Sequence, residues 1–160
     1  MQSVPNFQTS RRVNHSADDM FALVADVERY PEFVPLCEDL RVLSRGREGE
    51  IEIITATMTV AYKMIREAFT TDVRLDRQAG RIQVTYHEGP FKSLENIWAF
   101  RPLGPNASEV SFSIGYEFRS RMLQMLMGAM FDRAFRKFAD AFEARADAVY
   151  GQGAAPQSAV

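Results

Sequence analysis

The sequence predicts an α+β fold with its helices and strands segregated, and three observations carry that prediction. Between Leu40 and Phe118, strand-like runs are broken by turn signals. The last of these runs alternates large apolar residues with small or polar ones. The segment that follows, Arg121 to about Tyr150, repeats apolar residues at helical spacing. A sheet curled around one helix leaves volume that the side chains of that helix cannot fill, so an internal apolar cavity is expected of this layout.

Taken in order, Phe7 to Asn14 is polar, β-tolerant and suited to a sheet edge. Ser16 supplies an N-cap for a short helix whose apolar side carries Met20, Phe21, Leu23 and Val24, with Asp18 and Asp19 in the first turn, where the helix dipole favours them. The helix gives way at Tyr30-Pro31-Glu32-Phe33-Val34-Pro35, because each proline disfavours helical geometry in the residue before it. Turn signals then fall at Gly46 to Gly49, Asp76 to Gly80, Glu88 to Pro90 and Gly104 to Asn106, which predicts an antiparallel meander. In its last strand Val110, Phe112, Ile114, Tyr116 and Phe118 share one face, and that face must be covered. The cover is one long helix, on which Leu123, Met127, Phe131, Phe135, Phe138 and Phe142 recur at spacings of three and four. Residues 1–150 form the expected domain, and the tail from Gly151 (GQGAAPQSAV) is expected to be disordered.

Composition narrows the function classes. Of the 160 residues 46% are hydrophobic and 25% charged, values of a globular chain with a sizeable core. The net charge of −2, from 19 basic and 21 acidic side chains, offers no overall field for nucleic acid, and no DNA contact is expected. Cys37 is the single cysteine, so no intrachain disulfide forms and the thiol is expected to be inert. Met1 to Pro5 lacks the apolar stretch of a signal peptide, and no run reaches the ~20 apolar residues that span a bilayer. A cytoplasmic protein is therefore expected, with any membrane contact peripheral, at the inner membrane. The glycosylation-like triplets at Asn14 and Asn106 read as chance matches. His15 and His87 lie far apart and no metal-ligand spacing is present, nor is a glycine-rich phosphate loop or a GxSxG elbow. No metal and no catalytic residue is expected.

Three segments carry a resemblance. Tyr30 to Cys37 reads YPEFVPLC, Gly89 to Phe100 reads GPFKSLENIWAF, and Phe118 to Ala146 leads into and along the C-terminal helix. Together, in this order, they resemble the coenzyme Q-binding branch of the START-like polyketide cyclase/dehydrase superfamily, which also includes proteins called ribosome association toxin RatA. Leu36 stands where the family pattern often has tryptophan. The resemblance implies a helix-grip fold whose curled sheet and long helix enclose a tunnel for ubiquinone, held as a ligand and not as a catalytic cofactor, in support of respiration and ubiquinone biosynthesis in a bacterial cell. It implies a mouth made by Tyr30, Phe33, Val34, Pro35 and Leu36 with Leu123 and Met127. The implied tunnel wall is Phe91, Leu94, Trp98, Phe112, Tyr116, Phe131 and Phe135, with Lys92 and Glu95 as a polar pair toward the head group, or as a surface salt bridge of the strand. Met122, Met125, Met127 and Met130, interleaved with Leu123 and Leu126, leave the helix start apolar on nearly every side, as a ligand, a dimer contact or a membrane surface requires.

Two other classes stay open at this point. One is a protein that binds the large ribosomal subunit, as the RatA name implies, using the basic cluster Arg133, Arg136 and Lys137, although Asp132 and Asp140 interrupt it. The other is a polyketide cyclase or dehydratase with His87, Glu67 or Tyr86 as acid or base. Quinone biosynthetic or respiratory enzymes are the expected recipients of a carried quinone.

Overall fold

A computed structural model describes residues 6–151. Strand β1 (Phe7–Val13) leads into helix α1 (Ala17–Ala25) and a 3-10 segment, Val27–Glu32. Six strands follow: β2 (Cys37–Glu48), β3 (Ile51–Tyr62), β4 (Ile65–Asp76), β5 (Arg81–Glu88), β6 (Phe91–Gly104) and β7 (Ala107–Phe118). Helices α2 (Arg121–Arg136) and α3 (Phe138–Tyr150) close the fold. The seven strands form one antiparallel sheet in the order β1-β7-β6-β5-β4-β3-β2, so the meander is unbroken and β1 returns to pair with β7. The α+β helix-grip architecture read from the sequence is the architecture observed.

Local chemistry explains the elements. The Ser16 hydroxyl accepts the Asp19 amide at 3.0 Å, starting α1 where the cap was expected. Register breaks in β2, between β4 and β5, and in β6 are bulges that let a long sheet curl. Its concave face is built in rungs: Ile54, Val73, Val84, Asn96, Ile114 and Phe7 stand opposite one another across β3, β4, β5, β6, β7 and β1. Most of these side chains are buried against α1 and the C-terminal helices, while polar pairs such as Thr55 with Asp72 and Gln83 with Glu95 occupy the convex side.

Two expectations need correction. The C-terminal helix is not one straight rod: it bends at Lys137, whose amide donates to Ala134 O at 3.1 Å in a 3-10 bond, and the ladder resumes when Ala141 N donates to Lys137 O. The bend lets Phe131, Phe135, Phe138 and Phe142 all follow the curved sheet. Gly46 is not in a turn but pairs with Ile53 inside β2, which turns at Gly49 and Glu50. The β3–β4 turn, Lys63 and Met64, was not foreseen, because it contains no glycine, proline or asparagine, and Lys63 adopts φ +56°. Of the expected disordered tail only Gly151 is described; residues 152–160 lie outside the described residues, as do 1–5.

Candidate functional site

Between the concave sheet and the C-terminal helices lies an apolar cavity of about 60 Å³. The sheet contributes Leu40, Ala56, Met58, Phe69, Thr71, Val73, Val84, Leu94, Asn96, Trp98 and Ile114 to its wall; Val27 and Tyr30 close one side, and Phe135, Phe138 and Phe142 form the roof. The few polar groups on the wall are largely committed. Asn96 Nδ2 donates to Ser113 O at 2.8 Å, and the Tyr30 hydroxyl donates to Val24 O at 2.5 Å. Burial raises the Tyr30 phenol far above its ordinary range, with Cys37 and Asp26 adding to the shift, so it stays a neutral donor. Among the described residues, no carboxylate, imidazole or ammonium group lines the cavity.

The cavity is small because aromatic rings fill the grip. Phe142 packs edge-on against Trp98 and Phe33, both at 4.9 Å between centroids, and against Tyr30 at 5.3 Å. A cavity of ~150 Å³ is what a benzene molecule occupies, and pockets for larger ligands run to ~300–1,000 Å³. The open tunnel that the resemblance implies is therefore closed in this structure. Immediately beside it is a surface groove of about 530 Å³, lined by Pro35, Leu36, Tyr62, Ile65, Leu126, Ala129, Met130, Arg133, Ala134 and Lys137. Ala134 and Lys137 face the groove while their neighbours Phe135 and Phe138 face the cavity, so the last turn of α2 is the partition between the two.

The YPEFVPLC segment is built as a rigid flap. Val34 N and Phe33 N both donate to Tyr30 O, and Leu36, at φ +65°, accepts a hydrogen bond from Ala61 N at 3.0 Å. The Arg145 guanidinium lies 4.9 Å over the Phe33 ring and pairs with Glu32, clamping the flap to α3. Its Nε is buried without a partner among the described residues. The GPFK turn is equally constrained. Gly89 has φ +145°, and a Cβ there would lie 2.6 Å from that of Phe69, so only glycine fits. The Tyr86 hydroxyl accepts the Phe91 amide at 3.0 Å.

The residues proposed from the sequence are distributed unevenly. Tyr30, Leu94, Trp98 and Phe135 line the cavity; Pro35 and Leu36 line the groove. Val34, Phe91, Phe112, Met127 and Phe131 are buried in the core without reaching the cavity wall. Phe91 sits in an aromatic cluster with Phe69, Tyr116, Phe118 and Phe131. Tyr116, Leu123 and Phe33 are half-buried. Lys92 is exposed, 3.9 Å from Glu117. Absent from the sequence reading are Ala56, Met58, Thr71, Val73 and Val84, the inward positions of β3, β4 and β5. Their alternation was the available signal, but it became readable only with the register. Of the alternative acid and base candidates, His87 is exposed, the Tyr86 hydroxyl is held by Phe91, and Glu67 stands opposite Val60 at one end of β4. Among the described residues no group of three His, Cys, Asp or Glu side chains is placed to hold a metal ion, and no helix is long and apolar enough to cross a membrane.

Comparison with known proteins places this geometry. The family described as polyketide cyclase / dehydrase and lipid transport is matched over residues 13–143. A ribosome association toxin RatA from Vibrio cholerae is 36% identical over 143 residues, covering 89% of this chain and 96% of its own. The mitochondrial coenzyme Q-binding protein COQ10 of Drosophila melanogaster is 32% identical over 135 residues, 81% of this chain and 53% of its own. Among solved structures, an 18 kDa protein of Caulobacter crescentus superposes with a TM-score of 0.72 at 36% identity, covering 91% of this chain and 97% of its own. A START superfamily protein from Mycobacterium smegmatis, at TM-score 0.70 and 21% identity over 89% of this chain and 97% of its own, shares the fold. With a family match across most of its length and relatives of this identity, the chain belongs to the polyketide cyclase/dehydrase and lipid transport family.

Proposed function

We propose that this protein binds a polyprenyl quinone such as ubiquinone between its concave sheet and C-terminal helices and carries it, chemically unchanged, in support of ubiquinone biosynthesis and respiration. The observation that carries this reading is the cavity wall: apolar throughout except for Thr71, Asn96 and a neutral Tyr30, with no titratable group poised to move a proton. Such a wall rewards hydrocarbon, at about 0.8 kcal/mol for each methylene taken from water, and offers little to a reaction that develops charge. The coenzyme Q-binding relatives support the choice of ligand. Because the resting cavity is smaller than a quinone ring, binding requires the last turn of α2 to move outward, merging cavity and groove; the bend at Lys137 supplies the hinge.

The test is mass spectrometry of organic extracts from protein purified gently from a quinone-producing host. Wild type carries ubiquinone near one per chain, whereas Ala56→Leu, which fills the cavity from the β3 side, loses it while retaining its circular dichroism. An empty wild type sinks the proposal. The second reading, binding to the large ribosomal subunit, rests on the RatA-named relatives and on Arg133 and Lys137, which make no ion pair among the described residues, whereas Arg136 is tied to Asp132 at 3.0 Å. Co-sedimentation with large subunits that falls steeply with salt favours that reading.

A further inference from the structure

We propose that the rim of the groove, made by the β3–β4 turn and the outer face of α2, is a docking surface for an anionic lipid bilayer. The turn was invisible in the sequence, yet it places Met64 98% exposed at the tip between Tyr62 and Ile65, two residues that line the groove. Across the groove, Met122, Met125 and Leu126 are 69%, 80% and 62% exposed on α2, opposite the buried face that carries Met127, Phe131 and Phe135. Two apolar ridges from distant parts of the chain thus flank one opening. Exposed large apolar groups gathered in this way mark an interaction surface.

Charge selects the partner. Lys63, held 5.2 Å from the Tyr62 ring centroid, stands on one ridge, and Arg133 and Lys137 line the groove itself. None of the three makes an ion pair among the described residues; of the nearby carboxylates, Glu38 and Asp132 are each taken by an arginine, Arg66 and Arg136, which leaves Glu67, two residues beyond Ile65 on β4, as one acid against three cations. In a protein of net charge −2 this rim is locally cationic. A second copy of the chain, docked symmetrically, would set cations against cations. RNA would satisfy the cations but leave the methionines in water. A bilayer with anionic headgroups satisfies both, since flexible methionines enter the interface while Lys and Arg stay at headgroup level. The purpose of the docking rests on the quinone-carrier reading: cargo would pass between bilayer and groove without crossing water.

The test is flotation of the full chain with quinone-free vesicles of phosphatidylcholine mixed with phosphatidylglycerol, against phosphatidylcholine alone. Wild type floats with the anionic vesicles, and salt weakens the binding. Each cation near an anionic surface contributes about fivefold, so Arg133→Gln with Lys137→Gln lowers partitioning about thirtyfold; Met64→Asp lowers it more than tenfold. All three positions are exposed, and unchanged urea midpoints show that the variants fold. A wild type that ignores anionic vesicles overturns the proposal. So do variants that bind like wild type, a dimer that Met64→Asp dissociates, or ribosome binding through the same residues without vesicle binding. Because no quinone is present, failure here leaves the cargo result untouched, and an empty cavity with intact flotation overturns the carrier reading alone.

Discussion

Cys37 and Tyr116 illustrate how single side chains report on packing. Burial, reinforced by Asp39, pushes the Cys37 thiol from its ordinary 9.0 up to about 11, and burial with Asp132 pushes the Tyr116 phenol from 10.0 up to about 12. In both cases the folded state holds its proton more tightly than the unfolded chain. The contribution of each is therefore complete below its ordinary value and is lost as pH rises toward the folded value. Urea unfolding followed against pH is expected to show stability falling from pH 9 upward, with Cys37→Ala removing the part of the slope between 9 and 11; an unchanged slope in that variant would mean that the thiol is not effectively buried. The sequence predicts an inert lone thiol, and the burial of Cys37 fits that expectation. The cause, the packing of β2's first residue beneath the flap, was not readable from the sequence, because burial depends on where Val34 and Leu36 fold back.

At the level of elements, α3 is held chiefly through Phe142, which joins the flap (Tyr30, Phe33) to the sheet (Trp98). Its helical spacing with Phe135 and Phe138 was legible, as were α1, its Ser16 cap and the hairpins whose turns contain glycine. The bend at Lys137 was not, because the three-four spacing of the phenylalanines runs through it without interruption. Nor was the cavity wall of β3 and β4, since a run such as Ile-Glu-Ile-Ile-Thr-Ala-Thr-Met has apolar residues on both faces and only the pairing with β4 decides which side is concave. Phe142→Ala is expected to cost ~3–5 kcal/mol, the range for removing a buried ring that neighbours cannot replace. It should also enlarge the cavity beside Trp98, the single tryptophan, and shift its fluorescence. A loss below ~1 kcal/mol, measured by urea titration, would mean that the flap collapses into the space and that the polar contacts of α3 with Arg11, His15 and Glu32 hold it without the ring.

At the level of the molecule, a cavity of about 60 Å³ and a groove of about 530 Å³ are separated by one helical turn, and a quinone-sized occupant needs one of the surrounding elements to yield. Four structural elements border the space: the sheet, α3, α2 and the flap, which is held by the hydrogen bond from Ala61 N to Leu36 O and by Arg145 over Phe33. The sheet is continuously paired from β1 to β2, so opening it breaks ladders of hydrogen bonds. Helix α3 is anchored by Phe142, by ion pairs of Asp140 and Glu143 to Arg11 and of Arg145 to Glu32, and by a hydrogen bond between Asp147 and His15. Helix α2 has no ion pair to another element among the described residues: its one ion pair, Arg136 with Asp132, is internal, and its hold on the sheet is the buried stripe of Met127, Phe131 and Phe135 with the Arg136 guanidinium 4.8 Å from the Phe7 ring centroid of β1. On the proposed function the swing is therefore expected of α2, pivoting at Lys137. Hydrogen exchange compared between empty and quinone-loaded protein is expected to change over residues 121–136, with α3 and the central strands unaltered. Changes confined to the flap at residues 30–36 would show instead that the ligand slips beneath Tyr30 and Phe33 while α2 stays seated, and would move the hinge from the helix to the prolines.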